Sequence, residues 1–248
     1  MTRDQRPSVI PILLVAAFVV ILNETTMNVA LSSIMTDLGV DERTAQWLTT
    51  AFMLTMAVVI PITGWLLDRL PTRRVFQLAM LSFSVGTLLC MIAPSFAFLL
   101  AGRVVQASGT AIMMPLLMTT VMQLVPANGR GKVMGNISMV ISMAPAVGPT
   151  LSGIILQLGS WRLIFGVVLP IALAMLLLGS RKLGDVGERK LTPLDAVSIP
   201  LTVIAFGPLV YGLSLVGAED VEFWVPMLSI GIGIGGLVAF VARQLVLQ

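Results

Sequence analysis

The 248-residue sequence contains no histidine and a single cysteine, Cys90. One cysteine can form neither an intrachain disulfide nor a cysteine-based metal site, and the lack of histidine removes most zinc and haem ligation and histidine acid–base chemistry. Charged residues make up only 11% of the chain, whereas a soluble domain is about a quarter charged. We therefore expect no metal site, no cofactor and no soluble fold.

Long uncharged runs fill most of the sequence. Hydrophobic residues make up 57% of it, and the runs recur from end to end, each about as long as the ~20 residues that cross a bilayer as a helix. The short alternating segments of transmembrane barrels do not occur. The sequence predicts an all-α polytopic membrane protein. Its eight predicted spans are residues 9–31, 45–67, 75–93, 97–124, 133–158, 162–180, 194–217 and 222–246.

The basic residues lie mostly on one side of these spans. If the N-terminus is cytoplasmic, 12 of the 15 lysines and arginines fall in inner segments, while the outer loops hold only Arg43 and Arg162. This positive-inside bias predicts a multi-pass protein of the plasma (inner) membrane with a cytoplasmic N-terminus. It also accounts for the net charge of +3 without nucleic acid as a partner.

Two ionisable residues fall inside predicted spans, Glu24 in the first and Arg103 in the fourth. A charge at such depth is costly and usually faces a cavity or a partner. Because consecutive spans run in opposite directions, both residues lie in the outer half of the membrane and could meet. Glu24 could bind and release a proton beside the cation, or the two could form a fixed ion pair that holds two helices together.

Polar side chains crowd the same turns of the first span, and glutamines occur in the second and fourth. They could line a substrate pocket or form interhelical hydrogen bonds, which are common in membranes. The pocket candidates are Asn23, Thr25, Asn28, Gln46 and Gln106.

The fifth predicted span carries prolines and glycines, which break helices in water. A spacing of four places them on two adjacent stripes of small and proline residues. The stripes are Ala144, Gly148 and Ser152, and Pro145, Pro149 and Gly153. Such a face lets another helix approach closely, which suits either a moving interface or static packing.

A charged loop, GWLLDRLPTRRVF, joins the second and third spans. Its arginines can be explained by the positive-inside rule alone. Asp68 cannot, because the macrodipole disfavours an acid at a helix C-terminus. We therefore expect Asp68 to have a cationic or helix-N-terminal partner.

Together these segments resemble the major facilitator superfamily, and in particular its 14-span drug:proton antiporters. LNETTMNVAL is similar to the first-span pattern L-D-x-T-x-V-N-V-A-L, with Asn23 where many members have aspartate and Glu24 beside it. GWLLDRLPTRR resembles the loop pattern G-x-L-A-D-R-x-G-R-K, with departures at Pro71 and Thr72. GRVVQASG resembles the fourth-span pattern R-x-x-Q-G, with Ala107 in place of glycine.

The fifth and sixth spans extend the resemblance. GNISMVISMAPAVGPTLSG is similar to the antiporter pattern G-x8-G-x3-G-P-x2-G-G. Its matches are Gly135, Gly148, Pro149 and Gly153, and its small replacements are Ala144 and Ser152. SWRLIFGVVLPIAL is similar to the family's sixth span. The resemblance is close over about residues 15–180 and looser over 190–248.

The resemblance implies a proton-coupled multidrug efflux antiporter that exports lipophilic, chiefly cationic compounds by alternating access. Glu24 would couple protons or recognise the cation, and Arg103 would assist. The fifth-span motif would pack between two six-helix halves that rock against each other. The cytoplasmic gate would consist of Gly64, Asp68, Arg69 and Arg73.

The resemblance also implies a domain order. Residues 1–183 would form the N-terminal six-span bundle, 184–193 a cytoplasmic linker, and 194–248 two spans inserted between the halves. A second six-span bundle would follow, so we expect a fragment of a longer transporter. Its partners would be this missing half, the lipid bilayer, protons and a small-molecule substrate.

Two other functions stay open from the sequence. One is export of a metabolite such as an amino acid, a siderophore or a lipid. The other is a non-transporting membrane subunit, if the chain is naturally this short. We do not expect an enzyme, because the spans hold no paired aspartates, histidines or serine–lysine set suited to intramembrane catalysis.

Overall fold

The computed structural model of the protein describes residues 6–184, 198–216 and 221–247. All regular secondary structure in these ranges is α-helical, as the all-α prediction requires. The helices are α1 (Arg6–Leu38), α2 (Glu42–Arg69), α3 (Thr72–Met91), α4 (Phe96–Leu124), α5 (Ala127–Leu158), α6 (Arg162–Lys182), α7 (Ser198–Leu215) and α8 (Trp224–Leu247).

Seven helices in the described ranges are long and apolar enough to cross a membrane, and they overlap seven of the predicted spans. At the remaining one, predicted over 194–217, the structure has a shorter apolar helix, Pro200–Leu215. The beginning of that span and most of the predicted linker 184–193 lie outside the described residues.

The first helix runs past its predicted end at residue 31, because a cap rather than a loss of hydropathy stops it. α1 continues to Leu38, and Gly39 then takes a left-handed φ of 63°, which glycine adopts at little cost. Asp41 accepts a hydrogen bond from the Thr44 N–H (3.0 Å) and begins α2. The hydrogen bonds from Thr44 hold the pKa of the Asp41 carboxyl below its usual value.

Six helices form a bundle, and two form a hairpin beside it. α1 packs on α4, α5 and α6, α3 packs on α4 and α6, and α2 packs on α4. The α7–α8 hairpin lies against α2, where the ring centroids of Trp47 and Tyr211 are 5.9 Å apart. The apolar stretches of α1, α3 and α4 are at least half buried, whereas those of α2, α5 and α6 are largely exposed. Three helices of the bundle therefore have exposed sides.

Glycines bring α3 and α4 closer together than side chains would allow. A Cβ at Gly86 would lie 2.3 Å from the backbone nitrogen of Gln106, and a Cβ at Gly109 would lie 2.3 Å from the Ala79 carbonyl oxygen. Lipid tails are as apolar as leucine, so membrane helices associate through such close packing rather than through the hydrophobic effect. This contact sets the position of Gln106 and, one turn earlier on α4, of Arg103.

An ion pair between Asp37 and Arg162 joins α1 to α6 at the predicted outer end of the bundle, close to the end of α3. Asp37 Oδ2 accepts hydrogen bonds from Arg162 Nη1 (2.7 Å) and Trp161 Nε1 (3.0 Å), and Arg162 Nη2 donates to the Ala93 carbonyl oxygen (2.8 Å). The macrodipole disfavours an acid at the end of α1 and a cation at the start of α6, so each charge offsets the other's unfavourable position. We call Asp37, Ala93, Trp161 and Arg162 the outer clasp.

We predict that Arg162→Gln lowers the melting temperature of the purified protein, because Asp37 and the Ala93 carbonyl both lose a donor. Arg162→Lys should recover only part of the loss, since an ammonium lacks the planar fork that reaches both acceptors. Glu42→Gln, which changes an exposed acid at the same end, is the control. Equal melting temperatures for Arg162→Gln and Glu42→Gln would contradict a stabilising clasp.

Candidate functional site

The two ionisable residues predicted inside the spans lie close to each other in the structure. Arg103 on α4 is 1% exposed, and Glu24 on α1 is half-buried. Their charges are close enough to act on each other electrostatically. No ion pair joins them among the described side chains, however. The fixed ion pair, one of the two interpretations of the sequence, is therefore not formed in this structure.

Groups from three helices hold the Arg103 guanidinium instead. Its central carbon lies 4.0 Å from the centroid of the Phe52 ring on α2, and Nη1 donates to Gln106 Oε1 (2.7 Å). Gln106 Nε2 donates to Thr87 Oγ1 (2.8 Å) on α3, and the Thr87 hydroxyl donates to the Phe83 carbonyl oxygen (2.7 Å). Cation–π contacts and charge-assisted hydrogen bonds both stabilise a buried guanidinium. We call Phe52, Thr87 and Gln106 the guanidinium cage.

Buried polar atoms without hydrogen-bond partners occur on Asn23, which precedes Glu24 in the sequence, and on Arg103 itself. Asn23 is fully buried, and neither its Oδ1 nor its Nδ2 has a partner in the described part of the chain. The same holds for Arg103 Nε. A buried polar group without a partner costs about 1–3 kcal/mol, and each such group in a native structure requires an explanation. Asn23 and Arg103 therefore each have hydrogen-bonding capacity that the described chain does not use.

The first stripe of the fifth span packs on α1 within the same bundle. Thr25 Oγ1 donates to the Leu22 carbonyl oxygen (2.9 Å) and lies 3.4 Å from that of Ala144, and Ser152 Oγ donates to the Thr26 carbonyl oxygen (3.0 Å). Gly148 lies between these contacts, on the same buried stripe. In this structure Ala144, Gly148 and Ser152 therefore pack between helices of one bundle.

The second stripe of the fifth span has a different environment. Pro145 and Pro149 are exposed, Gly153 is half-buried, and Gly135, near the start of the helix, is exposed. A Cβ added at Gly135 or Gly153 would meet nothing within 4 Å. Of the two predicted stripes, this is the one that leaves room for another helix.

The five predicted pocket residues occupy several environments. Asn23 is buried beside Glu24, and Gln106 belongs to the guanidinium cage. Thr25 lies in the α1–α5 contact. Asn28 is exposed and accepts a hydrogen bond from Thr49 Oγ1 (3.5 Å), and Gln46 is exposed on α2.

The predicted gate residues lie together at the junction of α2 and α3. Gly64, Asp68, Arg69 and Arg73 are all exposed. The Arg69 guanidinium lies 5.2 Å from the centroid of the Trp65 ring. Asp68 forms no hydrogen bond or ion pair with the residues that the structure describes. Its expected partner stays a prediction.

Comparisons with known proteins agree with the resemblance to the superfamily. The family model of the Major Facilitator Superfamily matches residues 13–247. The uncharacterized MFS-type transporter YcnB of Bacillus subtilis (strain 168) is 42% identical over 243 residues, which are 98% of this chain and 52% of the relative. The lincomycin resistance protein LmrB of the same strain is 38% identical over 250 residues, 99% of this chain and 52% of the relative. The chain spans about half the length of these relatives.

A third relative and two solved structures are also similar. The putative multidrug resistance protein MdtD of Serratia proteamaculans (strain 568) is 36% identical over 157 residues, 63% of this chain and 33% of the relative. A bacterial homologue of the human lysosomal transporter Spinster has a TM-score of 0.58 at 22% identity, over 98% of this chain and 61% of that one. The POT family transporter PepTSo has a TM-score of 0.65 at 15% identity, over 98% and 54%. These structures confirm the predicted fold.

We predict that Gly148→Ala destabilises the protein and that Gly153→Ala does not. A Cβ at Gly148 would lie 2.2 Å from Thr25 Oγ1, so α1 or α5 has to shift, and overpacking of this kind costs about 1–3 kcal/mol. Gly153 is the matched control on the neighbouring stripe. Thermal unfolding of the two purified variants measures the difference. Equal stability would show that the α1–α5 contact tolerates bulk.

Proposed function

The chain belongs to the major facilitator superfamily, and from this premise we propose that it is part of a proton-coupled multidrug efflux antiporter. The antiporter exports lipophilic, cationic compounds across the plasma membrane by alternating access, with its N-terminus in the cytoplasm. One observation carries the proposal: a half-buried carboxyl, Glu24, lies within electrostatic reach of the buried cation Arg103 without an ion pair between them.

Competition between a proton and a cation at Glu24 would couple the two fluxes. Burial disfavours a charged carboxylate and a neighbouring cation favours it. A carboxyl under both influences changes its protonation state when a positive substrate arrives or leaves. Protonated Glu24 is neutral and does not attract a cation. A proton and a cationic substrate therefore bind at Glu24 one at a time. The unused polar atoms of Asn23 supply hydrogen bonds for the same ligand.

We further propose that a second six-helix half completes the transporter, with α7 and α8 inserted between the halves. The relatives are about twice as long as this chain, and α5 has a largely exposed side. That side carries Asn136, Ser142 and Thr150, all exposed. Polar side chains in membrane helices usually face protein or a water-filled cavity. The stripe of Pro145 and Pro149 lies on the same helix and would meet the second half.

The relatives' names guide the choice of substrates. They include lincomycin resistance and multidrug resistance proteins, so lincomycin and a lipophilic cation such as tetraphenylphosphonium are the first compounds to test.

We predict that Glu24→Gln in the intact transporter inserts normally but reduces efflux of tetraphenylphosphonium to the background of cells without the protein. The amide keeps the shape of the side chain and cannot bind or release the proton. Glu42→Gln, an acid at the start of α2, is the control and should leave efflux unchanged. Wild-type efflux by Glu24→Gln across a range of pH would refute the role of Glu24.

We predict that Asp68→Asn impairs efflux without changing topology. The positive-inside rule gives acids little weight, and Arg69, Arg73 and Arg74 remain. A carboxylate at a helix C-terminus requires a compensating partner, which we place in the second half. Cysteine accessibility measures topology, and efflux measures function. Unchanged efflux would leave the loop between α2 and α3 as a topological anchor only.

A further inference from the structure

The hydrogen bonds that hold Arg103 run in one direction, set by the backbone of α3. The Thr87 hydroxyl gives its proton to the Phe83 carbonyl oxygen (2.7 Å), so Thr87 Oγ1 accepts from Gln106 Nε2 (2.8 Å). The amide oxygen of Gln106 is thereby turned toward Arg103 Nη1 (2.7 Å). If the amide were reversed, its NH2 group would face the guanidinium, and two donors cannot bond to each other. Thr87 thus fixes the acceptor of Arg103 without touching it.

Phe52 holds the other part of the guanidinium. Its ring lies 4.0 Å from the guanidinium carbon, and its side chain is 1% exposed. Both side chains are closed to solvent, and a desolvated cation–π pair is stronger than an exposed one. The ring belongs to α2, so the cage joins α2, α3 and α4 around a single charge.

The cage competes with Glu24 for this charge. A guanidinium binds a carboxylate through two parallel hydrogen bonds better than it binds a neutral acceptor. Arg103 is within electrostatic reach of Glu24, yet in the described chain it bonds to the neutral Gln106 and stacks on Phe52, and its Nε has no partner. Among the described side chains the guanidinium therefore has its contacts in the cage and forms no ion pair with the Glu24 carboxylate.

We propose that Phe52 and Thr87 are positioning residues for proton exchange at Glu24, because they hold Arg103 off that carboxyl. The inference rests on the proposed function, in which Glu24 exchanges a proton for a cationic substrate. A direct ion pair with Arg103 would keep Glu24 ionised over most of the pH range. Without that direct ion pair, the Glu24 carboxyl is able to take up a proton.

Arg103 is the charged group that acts on Glu24 among the described residues. The helices packed on α1 are α2, α4, α5 and α6, and Arg103 lies on α4. A change in proton exchange that follows a change in the cage can therefore be assigned to Arg103.

The test measures protons released when tetraphenylphosphonium binds to the purified intact transporter, as a function of pH. Phe52→Leu removes the ring, and Thr87→Val removes the acceptor of Gln106 while keeping the size of the side chain. In both variants Arg103 should move into an ion pair with Glu24. An opposite charge in contact with a carboxyl lowers the pKa of that carboxyl by about 1–3. We expect the midpoint of proton release to shift to lower pH by about 1 unit or more.

Conservative variants and a neighbouring hydrogen bond provide the controls. Thr87→Ser keeps the hydroxyl and Phe52→Tyr keeps the ring face, so both should retain the wild-type midpoint. Ser82 Oγ donates to the Val105 carbonyl oxygen (2.8 Å) in the same α3–α4 contact. Ser82→Ala removes that bond without removing a member of the cage and should also leave the midpoint unchanged. If Phe52→Leu does not fold, Thr87→Val decides the question.

The outcomes separate the two proposals. Suppose that Glu24→Gln abolishes proton release while the midpoints of Phe52→Leu and Thr87→Val stay at the wild-type pH or move to higher pH. The positioning role is then wrong and the proposed function stands. If Glu24→Gln releases protons as the wild type does, the proposed function is wrong, and the positioning role that rests on it is also overturned.

Discussion

Arg103 is 1% exposed, so the charge of its guanidinium must be stabilised by neighbouring groups within the membrane. Three of the six helices in the bundle, α2, α3 and α4, contribute to this stabilisation. Arg103 receives an aromatic face from α2, an amide oxygen from its own helix and, through that amide, a hydroxyl from α3. The chain of bonds from α4 to α3 is short enough only because Gly86 lets the two helices approach. Glycine packing and charge compensation are therefore linked.

The six-helix bundle has fixed contacts at several levels and a free side on α5. Gly148 and Ser152 pack against α1, and the outer clasp holds α1, α3 and α6 at the predicted outer end. The exposed stripe of Pro145 and Pro149 has no such contact among the described residues. This arrangement suits a bundle that moves as one body against a second half, which is the motion that alternating access in our proposal requires.

Much of the fold and part of the site could be predicted from the sequence. Hydropathy predicts eight spans, seven of which overlap helices long and apolar enough to cross a membrane, and the helical repeat of four separates the two stripes of α5. The alternating direction of the spans predicts that Glu24 and Arg103 lie at similar depth, and the packing of α1 on α4 brings their helices together. The sequence does not show which stripe faces α1, because the side chains of both stripes are short or compact.

Other features have no local signal in the sequence. Phe52 is one apolar residue within an apolar run, and Thr87 is one of many hydroxyl residues, so their role around Arg103 becomes visible only when α2, α3 and α4 are placed together. Asp37 and Arg162 form their contact across 125 positions of the chain. The end of α1 depends on Gly39 rather than on hydropathy.

We propose that a proton gradient drives export through the intact transporter. Proteoliposomes that contain this transporter can carry an imposed pH gradient, acidic inside, with tetraphenylphosphonium outside. We expect the wild type to accumulate the cation, dissipation of the pH gradient to stop the accumulation, and Glu24→Gln to accumulate none above protein-free vesicles. Accumulation that persists without the pH gradient, or that is unchanged in Glu24→Gln, would show that export is not coupled to protons through Glu24.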